Sequence, residues 1–258
     1  MNRPDRQLRP NLTGLRAVIT GGSSGIGAAT ARAFAAQGMH VAIAGRDLAA
    51  LRRVAAETAG VYIQGDLREP GCPRRTIDEA AESLGGLDLL VSNAGIGWAG
   101  PFASMSESDI DSLLDVNLRA AAHLARAAIP HLQPGVGRLV FVGSIAGLVG
   151  VPGEAWYSAT KAALGCLADM LRAELQPTGI GVSFVSPGVV DTAFFERRNV
   201  PYQRQHPQLM SADSVAAVIV DAVDRGRDDV VTPSWLSLPV RLKVNFPGLY
   251  RLLAARFA

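Results

Sequence analysis

The segment YSATK places a tyrosine and a lysine four residues apart, at positions 157 and 161. On a helix this spacing puts both side chains on one face. A phenol has a pKa of about 10, and a nearby cation lowers that pKa by about 1 to 3, which makes the group a usable acid or base. The chain has four tyrosines and only Lys161 and Lys243 as lysines, so chance produces this spacing about 0.03 times. The pair predicts acid/base chemistry, and an ordinary surface pair is the alternative.

A serine lies where it can join this pair. Ser144 stands 13 positions before Tyr157, at the end of the apolar run RLVFVG. The carboxyl end of a parallel strand is where α/β sheets bind ligands, so a hydroxyl there can hydrogen-bond a substrate oxygen. Alone, such a serine is usually a cap or turn residue. Beside Tyr157 and Lys161 it completes a set that polarises a carbonyl.

The glycine-rich segment TGGSSGIG, residues 20 to 27, follows an apolar run and opens into a helical pattern. Glycines permit a tight turn, and free N–H groups at the helix start suit a pyrophosphate. The spacing is G-x-x-x-G-x-G rather than the strict G-x-G-x-x-G fingerprint. A purely structural bend is the alternative, but the position at the first strand-to-helix junction favours a dinucleotide.

The same loop contains G-x-S-x-G at Gly21, Ser23 and Gly25, the pattern of a hydrolase nucleophile. Asp191 and His206 are available downstream as acid and base, although no motif marks them. Only some twenty residues precede the loop, too few for the upstream strands that such a site needs. A serine hydrolase using Ser23 is therefore the less favoured alternative.

The segment HVAIAGRD ends where a dinucleotide-binding sheet contacts the adenosine ribose. Arg46 in this segment suits the 2′-phosphate of NADP, whereas an acid would suit the 2′-hydroxyl of NAD. Asp47 is such an acid, but it is better placed as the N-cap of the next helix. We expect NADP(H), with a solvated Arg46 as the alternative.

The elements that must position these residues alternate along the chain. Helical spacing marks residues 26–37, 48–58, 73–84, 107–132 and 154–176. Between these segments lie six near-continuous apolar runs, and DDVVT supplies a seventh, as a sheet covered on both faces requires. The pattern predicts one α/β domain over residues 1–258, with a doubly wound parallel sheet of about seven strands.

In these motifs the chain resembles the short-chain dehydrogenase/reductase family, from about Leu12 to Thr232. The shared motifs are TGGSSGIG, GDL, SNAG, DVNL, YSATK and PGVVDT, with Ser92 in place of a more usual Asn. The resemblance implies a Rossmann-like fold and a cofactor site formed by Gly21, Ser23, Ser24, Gly25, Ile26, Gly27, Arg46, Asp66, Leu67, Asn93, Ala94, Gly95, Tyr157, Lys161, Pro187, Gly188, Val190 and Thr192.

The resemblance also implies roles. Tyr157 exchanges a proton with the substrate oxygen, Lys161 lowers its pKa and holds the nicotinamide ribose, and Ser144 positions that oxygen. Asn117 holds the water that links Lys161 to solvent. Each secondary motif has another interpretation, since Asp66 and Asn93 are ordinary turn formers, Asn117 is a helix residue that can face solvent and Thr192 can cap a helix.

Loops after the fourth, fifth and sixth strands carry large apolar residues. They hold no obvious charge cluster for a carboxylate or phosphate, so we expect a bulky apolar ketone or secondary alcohol as substrate. Core packing is the alternative. Residues 190–210 are predicted to form a substrate lid. The predicted substrate contacts are Trp98, Leu148, Trp156, Phe194 and Phe195.

The C-terminal extension, residues 230–258, departs from the family pattern. It contains four cations and no acid, and Pro239 and Pro247 limit it to short helices. The extension can lie on a membrane surface, cover the substrate cleft or pack on a partner subunit. Packing on the same protein or a dimer mate is favoured over peripheral membrane contact. The four cations are Arg241, Lys243, Arg251 and Arg256.

Composition excludes several classes of protein. The net charge is +2, from 25 basic and 23 acidic residues, which disfavours a nucleic-acid binder. Neither the two cysteines nor the four histidines have metal-ligand spacing, so we expect no metal. The N-terminus, MNRPDRQLRPNL, lacks the apolar core of a signal peptide, and no run is long enough to span a membrane. We expect a cytoplasmic homodimer or homotetramer.

These observations together predict an NADP(H)-dependent oxidoreductase that interconverts a carbonyl and an alcohol on an apolar small molecule. A nucleotide-binding regulatory protein of the same fold, without catalysis, is the alternative from another class. The complete set of Ser144, Tyr157, Lys161 and Asn117 favours the enzyme, because a pure binder has no need of the tyrosine.

Overall fold

The computed structural model describes residues 12–198, 200 and 207–254. Seven strands form one parallel sheet in the order β3-β2-β1-β4-β5-β6-β9, and β7 pairs with β8 beside it. This arrangement confirms the predicted doubly wound sheet. The strands are β1 (Arg16–Thr20), β2 (His40–Gly45), β3 (Val61–Gln64), β4 (Leu89–Ser92), β5 (Arg138–Val142), β6 (Gly181–Pro187), β7 (Val190–Asp191), β8 (Met210–Ser211) and β9 (Asp229–Thr232).

Helices cover both faces of the sheet. The positions of the predicted helices are confirmed, apart from small differences at their ends and one interruption described below. The helices are α1 (Gly25–Ala36), α2 (Leu48–Thr58), α3 (Cys72–Leu84), α4 (Glu107–Leu114), α5 (Ala120–Ala128), α6 (Ile145–Val149), α7 (Ala155–Leu175), α8 (Phe194–Arg197), α9 (Ala212–Asp224), α10 (Ser237–Asn245) and α11 (Pro247–Ala254).

The single helix expected over residues 107–132 is divided in the structure. A π-helical turn, Asp115–Arg119, separates α4 from α5, and a 3-10 turn over Ile129–His131 ends the segment. The 3-10 turn contains Pro130, which has no N–H to continue an α-helix. The π-turn was not predicted, because the apolar period continues on both sides of it.

Alternating strand residues build two apolar cores, one on each face. Val91 in β4 and Val140 in β5 face α1, α2 and α9. Their neighbours Leu90 and Leu139 face α3, α5 and α7. Two-sided burial is the reason that the strands are almost continuously apolar in the sequence.

An ion pair joins the amino ends of β1 and β4. The Arg16 guanidinium donates to the Asp88 carboxylate at 2.8 and 2.9 Å, and the Arg16 backbone N–H donates at 2.9 Å. Burial raises the pKa of Asp88, but the hydrogen bonds from Arg16 outweigh it and hold that pKa below its usual value. The pair fixes the start of the two central strands.

The described part of the C-terminal extension packs on the same chain. Lys243 Nζ donates to the Leu148 carbonyl at 2.9 Å, and the Tyr250 hydroxyl donates to the Val149 carbonyl at 3.2 Å. Within residues 12–198, 200 and 207–254, we find no helix that combines the length and the apolar character needed to cross a bilayer. The N-terminal segment considered above, residues 1–11, and Arg256 lie outside the described residues.

Candidate active site

A cleft of about 1150 Å³ opens at the carboxyl ends of the strands, between β1 and β4. At this point the strand order reverses, because β2 and β3 extend the sheet on one side and β5, β6 and β9 extend it on the other. This is the position at which doubly wound sheets bind ligands. The cleft is lined by most of the predicted residues, namely Gly21, Ser23, Ser24, Gly25, Ile26, Arg46, Asp66, Leu67, Asn93, Ala94, Gly95, Trp98, Ser144, Tyr157, Lys161, Pro187, Gly188, Val190, Thr192, Phe194 and Phe195.

Four predicted residues, Gly27, Asn117, Leu148 and Trp156, do not line the cleft. A Cβ on Gly27 would come within 2.3 Å of the Gly21 carbonyl oxygen, so this glycine allows α1 to pack closely on the loop. Leu148 packs against the second core, and the Trp156 indole N–H donates to the Ile110 carbonyl at 2.9 Å. For these last two residues the structure shows core packing, the alternative stated above.

The N-terminus of α1 is open to the cleft. Gly21 and Gly25 adopt positive φ angles of 66° and 54°, which the tight turn requires. Ser24 is the N-cap but makes no side-chain cap bond, and the first helical turn contains no acid. The first N–H groups of a helix have no partner within the helix. This loop therefore fits a pyrophosphate group.

A hydrogen-bond network joins the glycine loop to the end of β4. Asn93 Nδ2 donates to the Thr20 carbonyl at 2.9 Å. The Thr20 hydroxyl in turn accepts from the backbone N–H groups of Asn93 and Ala94, both at 3.1 Å. Asn93 is thus more than a turn former, because its side chain ties together the two strands that flank the cleft.

The ends of β2 and β3 form a basic pocket. Arg46 lines the cleft, whereas the Asp47 side chain accepts from the Ala50 N–H at 3.0 Å, as expected for the N-cap of α2. Asp66 pairs with Arg68 at 2.6 Å, and the hydrogen bond from Arg68 holds the pKa of Asp66 below its usual value. Arg68 also lines the cleft, which the sequence analysis missed.

Tyr157, Ser144 and Lys161 meet at the centre of the cleft. Tyr157 hydrogen-bonds the Ser144 side chain, whose hydroxyl also accepts from the Ala146 N–H at 3.1 Å. Ser144 therefore caps α6 as well as contacting the phenol. Lys161 Nζ, buried one helical turn after Tyr157, donates to the Val142 carbonyl at 3.0 Å.

Burial governs the protonation of this group. It raises the pKa of Tyr157 to about 12, against the opposing hydrogen bond from Ser144, and it lowers the pKa of Lys161 to about 8. Among the charged groups, Glu154 raises the pKa of the phenol and Arg198 lowers it. That Lys161 lowers this pKa stays a prediction. The described site therefore holds a neutral phenol at neutral pH.

Asn117 lies in the π-turn and is buried, so the solvent-facing alternative is wrong. Its Oδ1 accepts from the Ile96 N–H at 2.9 Å, and its Nδ2 donates to the Ile96 carbonyl at 3.0 Å and to Thr160 Oγ1 at 3.2 Å. A Cβ built on Gly95 would lie 3.3 Å from Asn117 Oδ1 and 3.4 Å from Lys161 Nζ. Asn117 thus stands beside the lysine, and its water-holding role stays a prediction.

The substrate end of the cleft combines aromatic rings with charges. The Phe194 ring lies 5.7 Å from that of Tyr157. The Arg198 guanidinium lies 4.6 Å from the centre of the Phe195 ring and pairs with Glu154 at 2.6 Å. No charge cluster was expected here, although the segment FFERR, residues 194–198, contains the arginine and its aromatic neighbours. The pair neutralises both charges, so the pocket keeps its apolar character.

The described residues do not support the hydrolase alternative or a metal site. Ser23 lines the cleft, but no histidine is among the lining residues of the described chain. His206, the proposed base, lies outside the described residues. No group of three or more histidine, cysteine, aspartate or glutamate side chains in the described parts of the chain is arranged to hold a metal ion.

Comparison with known proteins agrees with this geometry. The family model described as short chain dehydrogenase matches residues 16–203. The chain belongs to the short-chain dehydrogenase/reductase family. It is therefore an oxidoreductase of the kind that uses a nicotinamide dinucleotide.

Three family members illustrate the similarity. A ketoacyl reductase, HetN from Nostoc, is 34% identical over 85% of this chain and 79% of its own. A short chain dehydrogenase from Burkholderia cenocepacia, solved with NADP, is 37% identical with a TM-score of 0.79, over 86% of this chain and 97% of that one. A family member from Burkholderia phymatum, solved with NAD, is 27% identical with a TM-score of 0.84, over 93% and 96%.

The close contact at Gly27 gives a test of the glycine loop. In Gly27→Ala the new methyl group must displace the Gly21 carbonyl or the Asn93 side chain. We expect the free energy of unfolding to fall by about 1–3 kcal/mol, and dinucleotide binding to weaken with it. Urea unfolding and calorimetric titration measure the two effects. Gly248→Ala is the control, because nothing lies within 4 Å of its Cβ position, and equal losses in both variants would contradict this account.

Proposed function

We propose that this short-chain dehydrogenase/reductase uses NADP(H) to interconvert a ketone and a secondary alcohol on a bulky apolar small molecule. The observation that carries the proposal is the phenol of Tyr157, which is held by Ser144 in an aromatic-lined cleft with Lys161 buried beside it. A bound nicotinamide supplies or accepts the hydride. A non-catalytic binding protein of the same fold has no use for this arrangement.

The protonation states of Tyr157 and Lys161 are those from which reduction of a ketone starts. With a pKa of about 12, the Tyr157 phenol carries its proton at neutral pH and donates it to the oxygen of a ketone as negative charge develops there. The Ser144 hydroxyl stabilises the same oxygen by a hydrogen bond. Lys161, with a pKa of about 8, remains mostly a cation at pH 7 and stabilises the phenolate left behind.

Removing the phenol oxygen tests this role. Tyr157→Phe keeps the ring and its contact with Phe194, but it removes the proton donor. We expect ketone reduction, followed by NADPH absorbance over a panel of ketones, to slow at least about 100-fold. Calorimetric NADPH binding should persist.

The matched control for that substitution is Tyr62→Phe, at an exposed tyrosine outside the cleft, which should leave turnover unchanged. Undiminished turnover in Tyr157→Phe would refute the mechanism. If the wild-type chain binds the dinucleotide but turns over none of the ketones and alcohols, the regulatory alternative is favoured.

NADP(H) is proposed over NAD(H) because two cations border the predicted adenosine end. Arg46 and Arg68 both line the cleft there, and Asp66 is engaged by Arg68. Asp47, the acid that would suit NAD, is committed to capping α2. The B. cenocepacia relative was solved with NADP and the B. phymatum relative with NAD, so the family accepts either dinucleotide.

The cofactor preference is testable at Arg46. Because Arg46→Ala removes a charged partner of the 2′-phosphate, NADPH binding should weaken about tenfold or more while NADH binding stays the same. Calorimetric titration measures both. Arg52→Ala is the control, since Arg52 is exposed, contacts the Tyr62 ring and does not line the cleft. Tighter binding of NADH than of NADPH by the wild-type chain would overturn the assignment.

We also propose that α8 belongs to the predicted lid at residues 190–210, of which residues 199 and 201–206 lie outside the described residues. Two neighbouring arginines bind opposite walls of the cleft. Arg197 Nη2 donates to Ser24 Oγ in the glycine loop at 3.1 Å, and Arg198 pairs with Glu154 just before α7. Through these two side chains, α8 and the residue after it contact both the predicted cofactor end and the predicted substrate end of the cleft.

The two arginines should affect different steps. Arg197→Met removes a cation beside the predicted pyrophosphate position, so the Kd for NADPH should rise about tenfold with little change in the KM for the ketone. Arg198→Met frees the substrate side of α8, so the ketone KM should rise and the Kd for NADPH should not. Calorimetry and steady-state kinetics separate these effects. The same change in both variants would contradict the two-sided arrangement.

Cytoplasmic location and assembly into a homodimer or homotetramer stay predictions. Sedimentation velocity measures the assembly directly.

A further inference from the structure

The C-terminal helices present an apolar surface that the rest of the described chain does not cover. Of the fourteen large apolar side chains exposed in the described residues, seven lie between residues 235 and 253. Their exposed fractions run from 36% to 74%. We call the exposed face of α10 and α11 the tail surface. It includes Leu238, Val244, Phe246, Leu249, Leu252 and Leu253.

In α11 the apolar residues form a stripe. Leu249, Leu252 and Leu253 are spaced i, i+3 and i+4, so they share one face of the helix. Tyr250, by contrast, reaches the Val149 carbonyl and helps to hold the helix on the protein. The leucine stripe is thus held in place while remaining exposed.

The sequence around this leucine stripe contains basic residues but no acidic ones. From Val230 to the end of the sequence there is no aspartate or glutamate. Arg241 and Arg251 are exposed and form no ion pair with any described residue. Apolar side chains combined with unpaired cations on short helices are typical of helices that lie in the interface of an anionic bilayer.

We propose that the tail surface docks on anionic phospholipid membranes. A second copy of the chain fits this surface less well, because a two-fold interface brings the same patch of each subunit together. Two patches with cations and no acids would repel each other. A bilayer with negative headgroups instead accepts both features, since the leucines enter the acyl boundary and the arginines contact phosphate groups.

The tail surface lies next to the substrate end of the cleft. Leu236 and Pro239, at the start of the extension, line the cleft, and the Lys243 ammonium binds the carbonyl of Leu148 in α6. Docking therefore places the substrate end of the cleft beside the lipid. If the proposed function is correct, an apolar ketone can enter from the membrane; the docking itself does not depend on that function.

The test is vesicle co-sedimentation of the full chain. Vesicles of phosphatidylcholine mixed with phosphatidylglycerol should sediment the protein, whereas pure phosphatidylcholine should do so at least about tenfold less well. Raising the salt concentration should weaken binding to the anionic vesicles, because salt screens the exposed arginines. Failure to bind anionic vesicles at low salt would overturn the proposal, whatever the enzyme activity.

Two double variants with matched controls localise the contact. Arg241→Gln with Arg251→Gln should weaken vesicle binding about 30-fold. Arg53→Gln with Arg126→Gln removes the same charge from exposed positions elsewhere and should change binding less than threefold. Leu249→Gln with Leu252→Gln should weaken binding at least tenfold. Its control is Val136→Gln with Met170→Gln, at exposed apolar residues of other surfaces.

Retained NADPH binding and an unchanged circular dichroism spectrum would show that the variants are folded. Equal vesicle binding by the tail variants and their controls would refute the proposal. The proposal would also be refuted if the wild-type chain does not bind vesicles but self-associates in sedimentation velocity, and the leucine variant abolishes that self-association. The tail surface would then bind a second copy of the chain.

Discussion

The reversal of strand order between the parallel neighbours β1 and β4 is the constraint on which the rest of the structure depends. At the amino ends of these strands, the Arg16–Asp88 pair fixes their relative position. At the carboxyl ends, the Thr20 hydroxyl and the Asn93 carboxamide join them again. Between these two connections the strands cannot slide, and the cleft opens where their following segments diverge. The glycine loop follows β1 directly, and Asn93 and Ala94 follow β4, so both walls of this part of the cleft are positioned by the two strands.

Burial is the main cause of the pKa shifts in the centre of the site. A tyrosine and a lysine on one helical face are ordinary on a surface, where water keeps each near its usual pKa. Here the surrounding sheet and the aromatic rings remove that water, so that the pKa of the phenol rises and that of the ammonium falls. The same burial that completes the apolar core therefore shifts the pKa values of Tyr157 and Lys161 in opposite directions.

Short-range patterns in the sequence predicted the elements well. Strands and helices show their periods directly, and YSATK and TGGSSGIG each lie within one element and its adjoining turn. Contacts between distant segments were harder to predict. Glu154 and Arg198 are 44 residues apart, and nothing in either segment identifies the other. The direction of the tyrosine pKa shift was missed for a similar reason, because spacing reveals a neighbouring charge but not the depth of burial.

The direction of side chains at the start of a helix was a second limit on prediction from the sequence. Trp156 lies beside Tyr157 in the sequence, yet its indole faces Ile110 while the phenol faces the cleft. Successive residues of an α-helix point about 100° apart, so the residue at which α7 begins decides which of the two side chains faces the cleft.

The π-turn at Asp115–Arg119 has a consequence for what kinds of change the chain tolerates. Before the turn, Leu113 faces the cleft, and after it Leu124 faces the second core. The turn holds one residue more per turn than an α-helix would, and each residue of an α-helix advances about 100° around its axis. Because the π-turn already absorbs one extra residue, deleting one residue here would restore a continuous α-helix and leave Leu124 facing the core, whereas the same deletion inside a regular α-helix would rotate everything after it by that angle. The turn therefore tolerates the loss of a residue in packing terms, and what that loss would displace is Asn117 from its hydrogen bonds with Ile96.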